Sequence, residues 1–140
     1  LISGIAAYVK AVSPSTEIVG CSPENSQVMI QSVKAGRILD IPSLPTLSDG
    51  TAGGVEEGSI TFDLCSSLVD RFVTVSEEEI RESLLEFVEA HHMLIEGAAA
   101  VAIASFLKLR DEFRGKNVVV VICGANIGIE KLRNVMQEAR

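Results

Sequence analysis

Apolar residues open the chain at helical spacing: Ile5, Tyr8, Val9 and Val12 share one side of a helix expected from Leu1 to Val12. Pro14 breaks it, and residues 17–21, Glu-Ile-Val-Gly-Cys, read as a short strand. Ser22-Pro23-Glu24-Asn25 is a turn, with Asn25 placed to cap a helix that runs to Ala35 and stops at Gly36. Periodicity is lost from Arg37 to Gly58. Pro42, Pro45, Gly50, Gly53, Gly54 and Gly58 punctuate this loop, whose length suggests function rather than mere connection. Helical spacing returns from Ser59 to Asp70 through Ile60, Leu64 and Leu68, and Arg71–Val75 follows as a second strand. Ser76 and Glu79 spell a capping box, and Ile80, Leu84, Phe87, Val88 and His91 then fall on one helix face.

The alanine-rich run from Glu96 to Leu109 predicts a helix that packs closely on its neighbours. After a polar link over 111–117, Val118-Val119-Val120-Val121-Ile122 reads as a strand buried on both faces, the mark of a parallel sheet covered by helices. It stops at Cys123-Gly124-Ala125-Asn126, and an amphipathic helix begins near Gly128 and runs to Arg140. The order of elements predicts one three-layer α/β domain over residues 1–140, with a parallel sheet in which only three strands are visible. Ligands of open α/β sheets bind at the carboxyl ends of the strands, where Cys123 would sit. The competing reading is a tight turn holding a buried structural cysteine.

Composition narrows the function classes. A chain of 140 residues with 47% hydrophobic positions can bury a core, and a net charge of -7 argues against a nucleic-acid partner. Membrane-span and signal-peptide patterns are both missing from the sequence, so no membrane partner is expected. Cys21, Cys65 and Cys123 are odd in number and far apart, which fits reduced thiols in a cytoplasmic protein better than a disulfide or zinc framework. The chain starts at Leu1 rather than Met, as a processed product or a fragment would.

Four motifs carry a resemblance: Leu1-Ile2-Ser3-Gly4-Ile5-Ala6, Ser48-Asp49-Gly50, Glu96-Gly97-Ala98-Ala99 and Cys123-Gly124-Ala125-Asn126. Their order and spacing resemble the serine/threonine dehydratase (threonine ammonia-lyase) family, pyridoxal phosphate-dependent enzymes with the tryptophan-synthase β-subunit fold. The resemblance covers essentially the whole chain but only the later half of such an enzyme. It implies that the cofactor lysine and the glycine-rich phosphate loop belong to the earlier half, the loop immediately before the position of Leu1.

Carried over residue by residue, the resemblance implies that Cys123 stands beside the pyridine nitrogen of pyridoxal 5'-phosphate. A neutral thiol there moderates the electron sink and favours β-elimination of water from a small hydroxy amino acid over transamination. It further implies that Leu1, Gly124 and Asn126 contact the cofactor, that Asp49 and Gly50 edge the substrate pocket, and that Glu96 is acidic near the cofactor. A carboxylate at Glu96 also suits the helix macrodipole with no catalytic role, and the amide of Asn126 can simply tie its turn.

Other candidates read as structural. His91 and His92 are adjacent on a helix and cannot face each other, so one is expected packed and the other wet. Glu77-Glu78-Glu79 complements the helix dipole, Glu56-Glu57 is a solvated edge, and Cys21 and Cys65 are inert core thiols. Family members that bind a divalent cation carry acidic residues near the turn occupied here by Ser22-Pro23 and Val28, so no metal is expected. The glycine spacing in 124–128 is not a dinucleotide or P-loop fingerprint. None of Lys10, Lys34, Lys108, Lys116 and Lys131 has the family's lysine context. The expectation is therefore the C-terminal part of an ammonia-lyase-like enzyme, inactive alone and prone to homo-oligomerise; the alternative is a non-catalytic α/β module that oligomerises or binds a partner.

Overall fold

The computed structural model describes residues 1–137. Helix α1 (Ile2–Val12) leads to strand β1 (Val19–Pro23), helix α2 (Val28–Ala35), the long loop, and helix α3 (Ile60–Leu68). Strand β2 (Arg71–Val75) then feeds α4 (Glu77–His91), α5 (Gly97–Leu109) and α6 (Ile129–Gln137). β1 and β2 are parallel, in register from Val19 opposite Arg71 to Pro23 opposite Val75. The fold is α/β, as expected.

Local chemistry accounts for the element ends. Ser76 Oγ accepts from Glu79 N at 3.2 Å while Glu79 Oε2 accepts from Ser76 N at 2.7 Å, closing the capping box that starts α4. Gly36, at φ 66°, ends α2 in the left-handed region that glycine adopts without strain. Strand β1 starts later than its apolar pattern suggested. Asp70 Oδ2 takes Ile18 N at 2.6 Å, and Glu17 pairs with Arg71 Nε at 2.8 Å, so both residues are committed before the ladder begins. Asn25 does not cap α2, which Gln27 precedes; its Nδ2 donates instead to Pro45 O at 2.7 Å and holds the long loop.

The core lies where α5 meets both strands and α4. Ala99, Ala100 and Ala104 are buried, and their short side chains let α5 approach closely. Val75, Ile80, Leu84, Ile95 and Val101 fill the space around them, each worth roughly 1.5–3 kcal/mol when removed from water. Val135 of α6 joins the same cluster. α1 packs on α3, and Lys10 Nζ reaches Asp70 Oδ1 at 2.8 Å.

Residues 118–122 overturn one expectation. They belong to neither strand of the sheet, and apart from half-buried Val120 they are exposed rather than buried on two faces, Val119 at 88%. β-branched side chains favour the extended backbone, but a strand exists only when a neighbour accepts and donates its ladder of hydrogen bonds. Among the described residues the sheet therefore has two strands, not three. The terminal helix begins where the pattern placed it, and its predicted end at Arg140 lies outside the described residues.

Candidate functional site

The backbone of Leu47 and Ser48 crosses the N-terminus of α5 in direct contact with Gly97. A Cβ added at Gly97 would lie 2.0 Å from the Leu47 carbonyl oxygen and 2.9 Å from Ser48 N. Only glycine admits that approach. Beyond this crossing, Ser48 is fully buried and its hydroxyl meets Thr51 Oγ1 at 2.5 Å, folding Asp49–Thr51 into a single 3₁₀ turn. The turn brings Gly50 beside the next residue of the site: its Cβ position is 3.5 Å from Glu96 Oε1.

Glu96 precedes α5 and faces the Gly124–Asn126 turn that follows residues 118–122. Its N–H donates to Gly124 O at 3.1 Å, and its Oε2 accepts from Asn126 N at 2.9 Å. The carboxylate lies so close to Gly124 that a Cβ there would be 2.3 Å from Glu96 Oε1. Three segments distant in the chain thus meet at one carboxylate: Gly50, Glu96-Gly97 and Gly124–Asn126. The tie to the turn is the backbone N–H of Asn126; its side-chain amide, the expected tie, makes no hydrogen bond among the described residues.

Asp49 projects from the same loop to Lys131 of α6, Oδ2 to Nζ at 2.5 Å. The hydrogen bond from Lys131 holds the Asp49 carboxyl below the usual carboxylate range. Cys123, directly after residues 118–122, is an exposed free thiol, not the buried structural cysteine of the competing reading. Leu1 is 76% exposed and its carbonyl accepts from Ile5 N, inside α1. The structure thus gathers Asp49, Gly50, Glu96, Gly124 and Asn126, with Cys123 adjoining. No contact described above joins Leu1 to that group.

Two participants were not anticipated. Lys131, which lacks the family's lysine context, closes the loop onto α6. Glu77 Oε2 accepts from Leu47 N at 2.7 Å, across thirty positions of chain. His91 corrects a third reading: it contacts the Phe87 ring at 4.5 Å but stays exposed, as does His92. On the far side of the loop, Ser22, Ser26, Thr51, Ser59 and Thr61 line an open cleft of about 440 Å³ with Glu56 at its edge. Burial pushes up the thiols of Cys65, which is buried, and of Cys21, which is only half-buried rather than a core residue.

Comparison with known proteins agrees with this architecture. The chain is 36% identical over 138 residues to the L-threonine ammonia-lyase of Thermotoga maritima, covering 99% of this chain and 34% of that protein. It is 33% identical over 137 residues to the catabolic L-threonine dehydratase of Escherichia coli, covering 96% of this chain and 41% of that protein. The processed form of threonine deaminase isoform 2 from Solanum lycopersicum superposes with a TM-score of 0.90 at 30% identity, over 99% of this chain and 41% of that one. The chain therefore spans about a third to two-fifths of the length of these relatives. The sequence profile described as "Pyridoxal-phosphate dependent enzyme" matches residues 1–124. The chain belongs to the pyridoxal-phosphate dependent enzyme family.

Proposed function

We propose that this chain is the C-terminal portion of a serine/threonine ammonia-lyase-like enzyme, forming one wall of its site and acting as a single α/β domain. The observation that carries this reading is the meeting of Gly50, Glu96 and the Gly124–Asn126 turn at one carboxylate, with Cys123 exposed beside it. The residues present fit one face of pyridoxal phosphate. Gly124 lets the Glu96 carboxylate close on the turn, and Cys123, exposed beside it, offers a thiol rather than a carboxylate to a ring nitrogen. When bound, the cofactor supplies an electron sink for loss of the α-proton and departure of the β-hydroxyl as water, ending in a 2-oxo acid and ammonia. Cys123 would leave that nitrogen unprotonated, Asn126 holds the turn to Glu96 through its N–H, and the N–H groups at the start of α1, beside Leu1, would receive the phosphate. Asp49 and Gly50 edge the space for a small hydroxy amino acid.

The chain alone is inactive in this reading. Lys10 is engaged by Asp70, Lys108 by Glu79 and Lys131 by Asp49, so these amines are committed to carboxylates. The exposed apolar stretch 118–122, with Ile129 and Met136 of α6, supports a larger assembly that covers this face, and the chain self-associates when isolated. Three free cysteines support a reducing, cytoplasmic setting. Borohydride reduction of the chain with pyridoxal phosphate, followed by peptide mapping, tests the reading. Scattered, substoichiometric modification is expected, with ammonia release from serine or threonine found only in the native product that carries the preceding part. Stoichiometric modification of one lysine here, with ammonia release by the chain alone, would overturn it.

A further inference from the structure

The three consecutive glutamates that open α4 do three different things. Glu78 pairs with Arg81 one turn on. Glu79 closes the capping box and meets Lys108 Nζ at 3.1 Å. Glu77 turns away from its own helix and accepts Leu47 N at 2.7 Å. Its other oxygen, Oε1, is buried without a hydrogen-bond partner among the described residues, so its hold on the loop rests on that single bond. A carboxylate does not stay buried with an idle oxygen for helix-dipole reasons alone, since solvent would serve that purpose equally well.

We propose that Glu77 is a positioning residue for the substrate side of the site: it sets the register of Leu47–Gly50 against α5. This rests on the reading that Asp49 and Gly50 edge the substrate pocket. The geometry is a short chain of contacts. Glu77 fixes Leu47 N; the Leu47 carbonyl and Ser48 N then bear on Gly97; Ser48, fully buried, launches the 3₁₀ turn; and the turn delivers Gly50 to Glu96 and Asp49 to Lys131. Between the ties at Asn25 and Ser26 and the turn itself, Glu77 is the anchor that a helix offers to this loop. Without it, Leu47 N loses its acceptor and the loop, left with the packing of the Leu47 side chain on the core, can shift along the bare backbone of Gly97, moving Asp49 and Gly50 together while Glu96 and Cys123 keep their places.

Side-chain length and charge separate this role from a helix-dipole one. Glu77→Asp keeps the charge in the first turn of α4 but shortens the reach; Glu77→Gln keeps the reach and an acceptor oxygen but drops the charge. Amide hydrogen exchange of this chain reads the loop directly. In Glu77→Ala and Glu77→Asp, exchange at Leu47 and Gly50 should quicken about tenfold or more, the size expected for one charge-assisted bond. Glu77→Gln should restore most of the protection, and amides in the middle of α4, such as Leu84, should not change in any variant. In the native product that contains this chain, Glu77→Ala should raise KM for the hydroxy amino acid about tenfold with kcat within about twofold. Protection kept by Asp and lost by Gln, or loosening of α4 equal to that of Leu47, would overturn the proposal in favour of a dipole role. Absence of ammonia-lyase activity in the unmutated product would defeat the functional reading instead, and the exchange experiment would still decide whether Glu77 registers the loop.

Discussion

Replacing Gly97 by alanine tests whether the loop-on-helix crossing is as tight as it looks. Gly97 is not among the residues with positive φ, so its backbone suits alanine and only space opposes the change. The new methyl would sit 2.0 Å from Leu47 O and 2.4 Å from Leu47 C. Carbon–oxygen contacts close at about 3.3 Å, so the two segments must part by roughly 1.3 Å. Both obstacles are backbone atoms, and no side-chain rotation relieves them. Overpacking of this kind costs about 1–3 kcal/mol. Alanine recovers at most about 1 kcal/mol of helix propensity, and less than that in a first turn. A net loss of about 1–2 kcal/mol, divided by a urea slope of about 1–3 kcal/mol/M, lowers the urea midpoint by roughly 1 M. Gly4→Ala supplies the control: it lies in α1 with nothing within 4 Å of its Cβ position. That variant should gain about 0.5–1 kcal/mol by the same propensity argument. Circular-dichroism melts in urea on the two variants decide the matter. Equal midpoint shifts, or a Gly97→Ala chain as stable as the parent, would show that the loop does not bear on α5.

Acid should loosen the junction of α1 with the sheet. Lys10 and then Ile18 N hold the Asp70 carboxyl below its ordinary range, so its stabilisation is complete above about pH 4 and is lost as pH falls through the lowered value. Asp70→Asn should flatten the acid limb of a stability-against-pH curve, and an unchanged limb would count against the assignment. Thiol titration under native conditions should find Cys123 first, Cys21 more slowly, and Cys65 only on unfolding; a Cys65 that reacts early would contradict its burial. Under the proposed function, Cys123→Ser in the native product should retain elimination, because a hydroxyl would still meet the ring nitrogen, whereas Cys123→Asp should impair it by protonating that nitrogen. Matching rates for parent, Ser and Asp would remove Cys123 from the chemistry.

Where the sequence was legible, the cause was local. The capping box of α4, the stop at Gly36 and the strand Arg71–Val75 all follow from residues within one turn or one strand of each other. The run Val118–Ile122 was misread because its side chains report an extended preference, while burial and pairing depend on neighbours that side chains do not encode. Asn25 was misplaced for a similar reason, since its amide had a distant carbonyl to serve as well as a nearby helix. Family resemblance supplied Glu96, Gly50 and Gly124 together, but not that they touch. The capping box marks Glu79 locally, but nothing local marks Glu77 as the residue that leaves its helix, because its partner lies in a loop thirty residues earlier. Lys131 was hidden in the same way behind 82 positions of intervening chain.

The site is built from two irregular segments held by the first turns of two regular helices. Its ties repeat one pattern: a carboxylate at a helix start receives a backbone N–H, and a glycine stands where the backbones meet. Glu77 with Leu47 N and Gly97 forms one instance; Glu96 with Asn126 N and Gly124 forms the other. Helix starts suit this use because their carboxylates are already favoured there by the macrodipole and cost little to orient. The arrangement also explains how a loop as long as Arg37–Gly58 stays ordered without elements of its own beyond one 3₁₀ turn. Its middle is tied twice within a few residues: by Asn25 and Ser26, to Pro45 O and Ser43 Oγ, and by Glu77 and Lys131, to Leu47 N and Asp49. A substitution at Gly97 should therefore disturb the site and reach the core as well, since Leu47, which crosses that glycine, also packs against the cluster of Val75, Ile80 and Leu84.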